Sequence, residues 1–401
     1  MARNRLRRLS WGLIDQGAGS LTTLCLSIAA LRASADGAAE FALVFLVHSL
    51  AVGFARSITT EPLAQELPGF ADEDVRRHVR AAGVTGLAVG SLSALLSAVL
   101  VRPDTAIGLW SLAFTVVICS TDSVRAAWIG ALRTPRALPI SLGQLTGAVT
   151  GLVGVILTGT GGWALAPIVL ISGLLTVTGL VGPRIDAATL RPRHWVYAAE
   201  WSLTSGLGQS SGLVVTGLGL PLLPLLLRAQ GVIFGPLSML IQAVAALAVP
   251  EFAAGRRASL LRPALWLSGG LVGVCAAYAA IVFLVPAGVL ATLLGSAWES
   301  FAPVLPAAAA AFVASGISMG PLVALRAHGA ARASLQARVV LGVSRLALPV
   351  GAALLWGAAG FFWAAAAAAV LGGGWATWVL SRVERSRPVA APDEAVAVVR
   401  A

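Results

Sequence analysis

Four charged side chains stand where an ordinary soluble protein would not put them. Asp15, Arg56, Asp122 and Arg125 each interrupt a long apolar run. At bilayer depth an ionisable group is costly unless it is paired or hydrated, so such residues are site candidates by default. Asp15 lies about one turn inside the start of the first run, and Arg56 lies at a similar depth before the end of the second. If these runs form adjacent antiparallel helices, the two side chains meet. Two readings then stand open: a buried ion pair that fixes helix register, or the charged lining of a wet cavity in which Arg56 meets an anionic headgroup. Asp122 and Arg125 sit one turn apart on one helix face. They form either a local interfacial pair or a second part of that lining. Gln16, Gln144, Gln209 and Gln242 add uncharged groups able to hydrogen-bond between helices or to sugar hydroxyls.

Other chemistry finds no support. Cys25, Cys119 and Cys275 sit singly inside apolar runs, with neither disulfide nor metal-ligand spacing. His48, His78, His194 and His328 are equally scattered. No metal, cofactor or catalytic residue is expected.

Such charges can be positioned only by membrane helices. The chain is 58% hydrophobic and 11% charged, with mean hydropathy +0.87, far from the quarter or so of charged residues usual in soluble domains. A bilayer accepts that apolar surplus. The net charge of +11 comes without a single lysine, from arginines in small groups between apolar runs. That pattern fits loops at an anionic membrane face and not a nucleic-acid stripe.

Apolar runs long enough to span lie near 10–31, 39–60, 81–101, 106–127, 137–158 and 163–182. A second set lies near 197–219, 230–250, 263–285, 302–325, 337–356 and 360–380. About twelve transmembrane helices are therefore predicted, with both termini in the cytoplasm of a multi-pass plasma-membrane protein. Of the 28 arginines, the alternation places all but four inside; Arg32, Arg102 and Arg228 fall outside and Arg56 within a span. The positive-inside rule thus supports both count and orientation. Arg3, Arg5, Arg7 and Arg8 followed by Ala33-Ser34-Ala35 imitate a signal peptide. The apolar stretch between them is too long and carries Asp15 and Gln16, so a retained first helix is expected. The longest outer loop, near 286–300, reads as an amphipathic interfacial helix with Trp298 and Glu299. Trp11, Trp110, Trp163, Trp195, Trp201, Trp356 and Trp378 mark span ends at headgroup level. Glu200 is close enough to water to snorkel.

The two halves resemble each other at an offset near half the chain length. Gln16 matches Gln209, and Glu61-Pro62 matches Pro250-Glu251. Gly130-Ala131-Leu132-Arg133 matches Gly329-Ala330-Ala331-Arg332, and the turn into Trp163 matches that into Trp363. Six spans per half insert in the same sense, so the halves are related by an axis along the membrane normal with a path between them. The expected organisation is an N-terminal six-helix bundle at 1–183, a cytoplasmic linker at 184–195, a C-terminal six-helix bundle at 196–382 and a disordered cytoplasmic tail at 383–401.

Ser10-Trp11-Gly12-Leu13-Ile14-Asp15-Gln16-Gly17 resembles the first helix of bacterial polysaccharide flippases. These belong to the multidrug/oligosaccharidyl-lipid/polysaccharide (MOP) exporter superfamily. Ala55-Arg56-Ser57 through Glu61-Pro62-Leu63 resembles the end of their second helix, and Arg228 through Leu237 the start of their eighth. The resemblance implies a MOP/MATE-like pair of six-helix bundles that alternates access to a central cavity. It also implies transport of an undecaprenyl-diphosphate-linked oligosaccharide from inner to outer leaflet. Its partners would be the lipid-linked glycan, membrane lipids and glycan-assembly enzymes. Two further C-terminal helices of some relatives are missing here. An arginine fork suits phosphate oxygens, so Arg56 and Arg125, with Gln16 and Gln209, are the expected substrate contacts. Asp15 and Asp122 would supply ion pairs or a site for a coupling cation, H+ or Na+. The alternatives are a cation-coupled multidrug exporter of the same superfamily or a non-transporting scaffold in glycan assembly. The short outer loops leave little room for an enzyme.

Overall fold

The computed structural model describes residues 2–32, 34–66, 71–131, 133–180, 198–199, 201–254, 259–328 and 330–386. The expected linker 184–195, Glu200 and most of the expected tail lie outside them, as do the side chains of Gln242, Glu61 and Pro250. Among the described residues the chain is helical, with no strand.

Six long helices build the first half: α1 (Ala2–Leu31), α2 (Ala35–Glu66), α3 (Asp72–Val101), α4 (Ala106–Gly130), α5 (Thr134–Thr158) and α6 (Ala166–Leu180). The second half begins with a π-turn at Ser202–Gly206 that runs into α7 (Leu207–Gly217), followed by α8 (Leu223–Ala254) and α9 (Leu261–Leu284). Two short helices follow, α10 (Ala287–Leu294) and α11 (Ala297–Phe301). The fourth span of this half is broken by a tight turn at Gly316–Ser318 into α12 (Leu305–Ser315) and α13 (Met319–Ala327). The last two spans run as one helical stretch, α14 (Ala331–Arg385), folded back at Gly357. Among the described residues twelve spans result, as two sets of six. Seven helices among the described residues are individually long and apolar enough to cross a membrane.

Local chemistry fixes several helix ends. Thr105 caps α4 by accepting from the Gly108 backbone N–H at 3.1 Å, while its own hydroxyl donates to Glu40 at 2.6 Å. Asp72, Glu73 and Asp74 fill the first turn of α3, where negative charge suits the helix dipole. The α5 helix stops at Gly159, with φ of +68°, and the eleventh span stops at Gly357, with φ of +65°. These left-handed glycines occupy matching places in the two halves. They are a further correspondence beyond those read from the sequence.

Packing repeats as well. In the first half α1 lies on α5, α2 on α4, and α3 on α4. In the second half α7 lies on α14, α8 on α13, and α9 on α13. The first and fifth spans of each half are therefore neighbours, and so are the second and fourth. The halves meet where α1 and α2 pack against α8, and α2 against α7. Leu31 and Ala38 of the first half join the apolar core built around Phe234, Phe301, Phe312 and Phe362 of the second.

The segment near 286–300 forms α10 and α11, with Leu294, Ala297 and Phe301 fully buried and Glu299 exposed, which is the expected amphipathic pattern. It also grips the other half, since the Arg32 guanidinium donates to the Thr292 carbonyl at 2.6 Å. Arg228 is not a loop residue, contrary to the sequence reading, since it lies within α8. Arg125 lies within α4, and Arg345 midway between Ala331 and the Gly357 bend, both inside runs read as spans. Trp201 also departs from the belt of headgroup tryptophans. Its ring fills the space above Gly53 of α2, where a Cβ would collide with it.

Candidate functional site

The four charges read from the sequence form one connected network in the first half. Asp15 on α1 is fully buried. It accepts from the Ser141 hydroxyl of α5 and, at 2.9 Å, from Arg125 Nη1 of α4. Arg125 Nη2 donates to Asp122 Oδ1 at 3.0 Å, one turn back on the same helix. Asp122 is in turn the bidentate acceptor for Arg56 of α2, from Nε at 2.5 Å and from Nη2 at 2.6 Å. Parallel forked contacts of this kind are the strongest ion-pair geometry. Two carboxylates and two guanidinium groups balance, so the network is neutral.

The expected meeting of Asp15 and Arg56 does not occur. The reason is helix adjacency, since α1 packs mainly on α5 and α2 mainly on α4, rather than on each other. Asp15 therefore faces α4 and α5, and Arg125 crosses the gap between them. The local Asp122–Arg125 pair, one of the two readings left open, is present and extended at both ends.

Burial falls along the network. The Asp15 and Arg125 side chains are 1% and 8% exposed, whereas Arg56 is 43% exposed. Arg56 spends Nε and Nη2 on Asp122, and its Nη1 has no hydrogen bond among the described residues. A charged donor is thus held rigidly on one side and open on the other. Arg125 has no such freedom, because both of its terminal nitrogens are engaged and its Nε is buried without a partner. Its role is to hold the two aspartates.

Gln16 on α1 and Gln209 on α7 are both exposed, and neither side chain makes a hydrogen bond among the described residues. They do not join the network. Gln144 is buried with its amide nitrogen unpaired. Among the described residues no cluster of His, Cys, Asp or Glu could hold a metal ion.

Two contributors escaped the sequence reading. Ser141 is one hydroxyl in a mostly apolar helix, and nothing in its spacing distinguishes it. Arg228 is buried and reaches from the second half into the first. Its guanidinium donates to the Thr23 carbonyl of α1 at 3.1 Å and lies 3.8 Å from the Phe45 ring centre of α2. A cation over an aromatic face in a desolvated place is worth about 2 kcal/mol. Arg228 therefore ties both α1 and α2 to α8.

No family model and no curated relative matches the sequence. Solved structures do. The lipid II flippase MurJ in an inward closed conformation is similar with a TM-score of 0.66 and 12% identity, over 96% of this chain and 88% of that one. An outward-facing multidrug resistance MATE transporter of the MOP superfamily gives a TM-score of 0.59 at 16% identity, over 93% of this chain and 94% of that one. A MOP superfamily transporter from Pyrococcus furiosus, described as having a binding pocket of reverse polarity, gives 0.58 at 15%, over 94% and 95%.

The fold is MATE- and MurJ-like, and the likeness extends across both halves. The charged network belongs to the first bundle, and Arg228 to the seam between the bundles.

Proposed function

We propose that this protein moves an anionic, lipid-borne substrate across the membrane by alternating access, and that the substrate is an undecaprenyl-diphosphate-linked oligosaccharide carried from inner to outer leaflet. The observation that carries this reading is Arg56, clamped by Asp122 and half-exposed, with Nη1 making no hydrogen bond among the described residues. A diphosphate oxygen is the natural acceptor for that donor, because a guanidinium fork matches phosphate geometry. The polyprenyl chain would stay in lipid while the sugars occupy the cleft between the halves, where Gln16 and Gln209 offer amides. The excess of arginine on one face supports both termini lying in the cytoplasm.

The likeness to MATE transporters also favours export of cationic drugs coupled to H+ or Na+. That chemistry wants a carboxylate free to bind a cation. Asp15 accepts two hydrogen bonds and Asp122 three, all but one of them from arginine. Neither carboxylate is free, which is why the anionic substrate is preferred.

The test is surface display of the glycan in cells depending on this protein, with membrane levels checked for each variant. Arg56→Ala should abolish display at normal protein level, and Arg56→Lys should restore it only in part, since the fork is lost. Full display from Arg56→Ala would remove the substrate role of Arg56. Protection against cationic drugs that survives Arg56→Ala but not Asp15→Asn would favour the exporter.

A further inference from the structure

Arg345 stands alone at mid-membrane depth. It lies about 20 Å along its helix from Ala331, at 1.5 Å per residue, close to the middle of a bilayer core of about 30 Å. It is partly buried and has neither ion pair nor hydrogen bond among the described residues. Every other arginine placed deep in a span has an acceptor: Arg56 and Arg125 hold aspartates, and Arg228 holds a carbonyl. A permanent cation at this depth requires an anion or water beside it.

Gly208 of α7 packs on the aliphatic stem of Arg345, where a Cβ built on the glycine would lie 3.5 Å from Cδ and 3.7 Å from Cβ, so the guanidinium is carried beyond that contact. The π-turn at Ser202–Gly206 comes just before Gly208, and α14 presses on that turn so closely that a Cβ on Gly342 would collide with the Leu203 carbonyl. Irregular backbone at bilayer depth is tolerated where protein buries it or where it lines a hydrated cavity, and π-turns are frequent at functional sites. Gln209, the next residue after Gly208, is exposed. The Trp201 ring separates this place from the first-half network, with one edge over Gly53, a turn from Arg56, and another 3.3 Å from a Cβ built on Gly206.

We propose that Arg345, with Gly208 and Gln209, forms a second anion site in the C-terminal half, which takes a phosphate or diphosphate ester. The arginine supplies the fork for two phosphate oxygens, the small Gly208 lets α7 lie against the Arg345 stem, and the Gln209 amide supplies a neutral donor. A carboxylate on a soluble ligand would have to leave water to reach this depth. A phosphate carried by a lipid can enter along the cleft with its tail still in hydrocarbon. The site is separate from Arg56, and it stands whether or not the transported substrate is a glycan.

The test uses the full chain in a maltoside detergent, which carries no phosphate. Inorganic pyrophosphate and farnesyl diphosphate are the probes, with binding read by native mass spectrometry and calorimetry. In an Arg56→Gln background, which leaves the second half untouched, a diphosphate probe should still bind. Adding Arg345→Gln should weaken it ~10- to 100-fold, the loss that follows removal of charge-assisted hydrogen bonds, and Arg345→Lys should weaken it less. Binding of both probes would show that a bare diphosphate suffices, and binding of farnesyl diphosphate alone would show that the ligand arrives with a lipid tail. Either result supports the site. Unchanged binding in the Arg56→Gln, Arg345→Gln variant, or no binding in folded Arg56→Gln protein, would overturn it. Size-exclusion profiles identify the folded variants, and wild-type protein with Arg345→Gln alone gives an independent comparison.

Discussion

The two halves share a packing plan and differ in their charges. In the first, Asp15 and Asp122 answer Arg125 and Arg56, so the buried polar centre is neutral, with Arg56 Nη1 and the buried Arg125 Nε left unpaired among the described residues. At the corresponding neighbours in the second half, α7 against α14, the only deep charge is Arg345, without a partner among the described residues. Helix adjacency is repeated between the halves, since it depends on apolar faces and close-packed glycines. The charges are not repeated, because electrostatic pairing is set by single residues. One half carries a braced arginine, and the other an unbraced one.

That contrast is broken most directly at Asp122. Asp122→Ala strands Arg56 and Arg125 together, and breaking a buried pair from one side costs about 3–5 kcal/mol. The expected result is loss of that much stability on unfolding by SDS in mixed micelles, or failure of the protein to accumulate. A cost below ~1 kcal/mol would mean that the network contributes little to the first half.

A double-mutant cycle sharpens the pairing itself. Groups in direct contact couple by about 0.5–3 kcal/mol, and more remote ones by less. Asp15→Asn with Arg125→Gln should show a clearly larger coupling energy than Asp15→Asn with Arg56→Gln, because only the first pair is in contact. The reverse order would restore the pairing expected from sequence adjacency.

The smallest effect is expected in the second half. Arg345→Leu strands no partner, so unfolding stability should stay within ~0.5 kcal/mol of the parent or rise, as when buried charge is replaced by apolar volume. A loss above ~2 kcal/mol would show that Arg345 is braced after all and that the halves are electrically alike.

Much of this molecule is legible along the chain. Apolar runs of spanning length, arginine at one set of loops and charged residues inside the runs are local properties, so span number, two sets of six and the identity of Asp15, Arg56, Asp122 and Arg125 as special follow from sequence alone. The short-range pair Asp122–Arg125 follows too, because helical geometry fixes residues one turn apart. What sequence did not determine is partnership across helices. Asp15 joins Arg125 and not Arg56 because α1 settles on α5 instead of α2. Ser141, Arg228 and Trp201 acquire their roles only through residues distant in the chain. Helix adjacency arises from the sum of many weak side-chain contacts over whole faces, and no single spacing encodes it. Only the folded bundle decides which arginine is neutralised and which is left open.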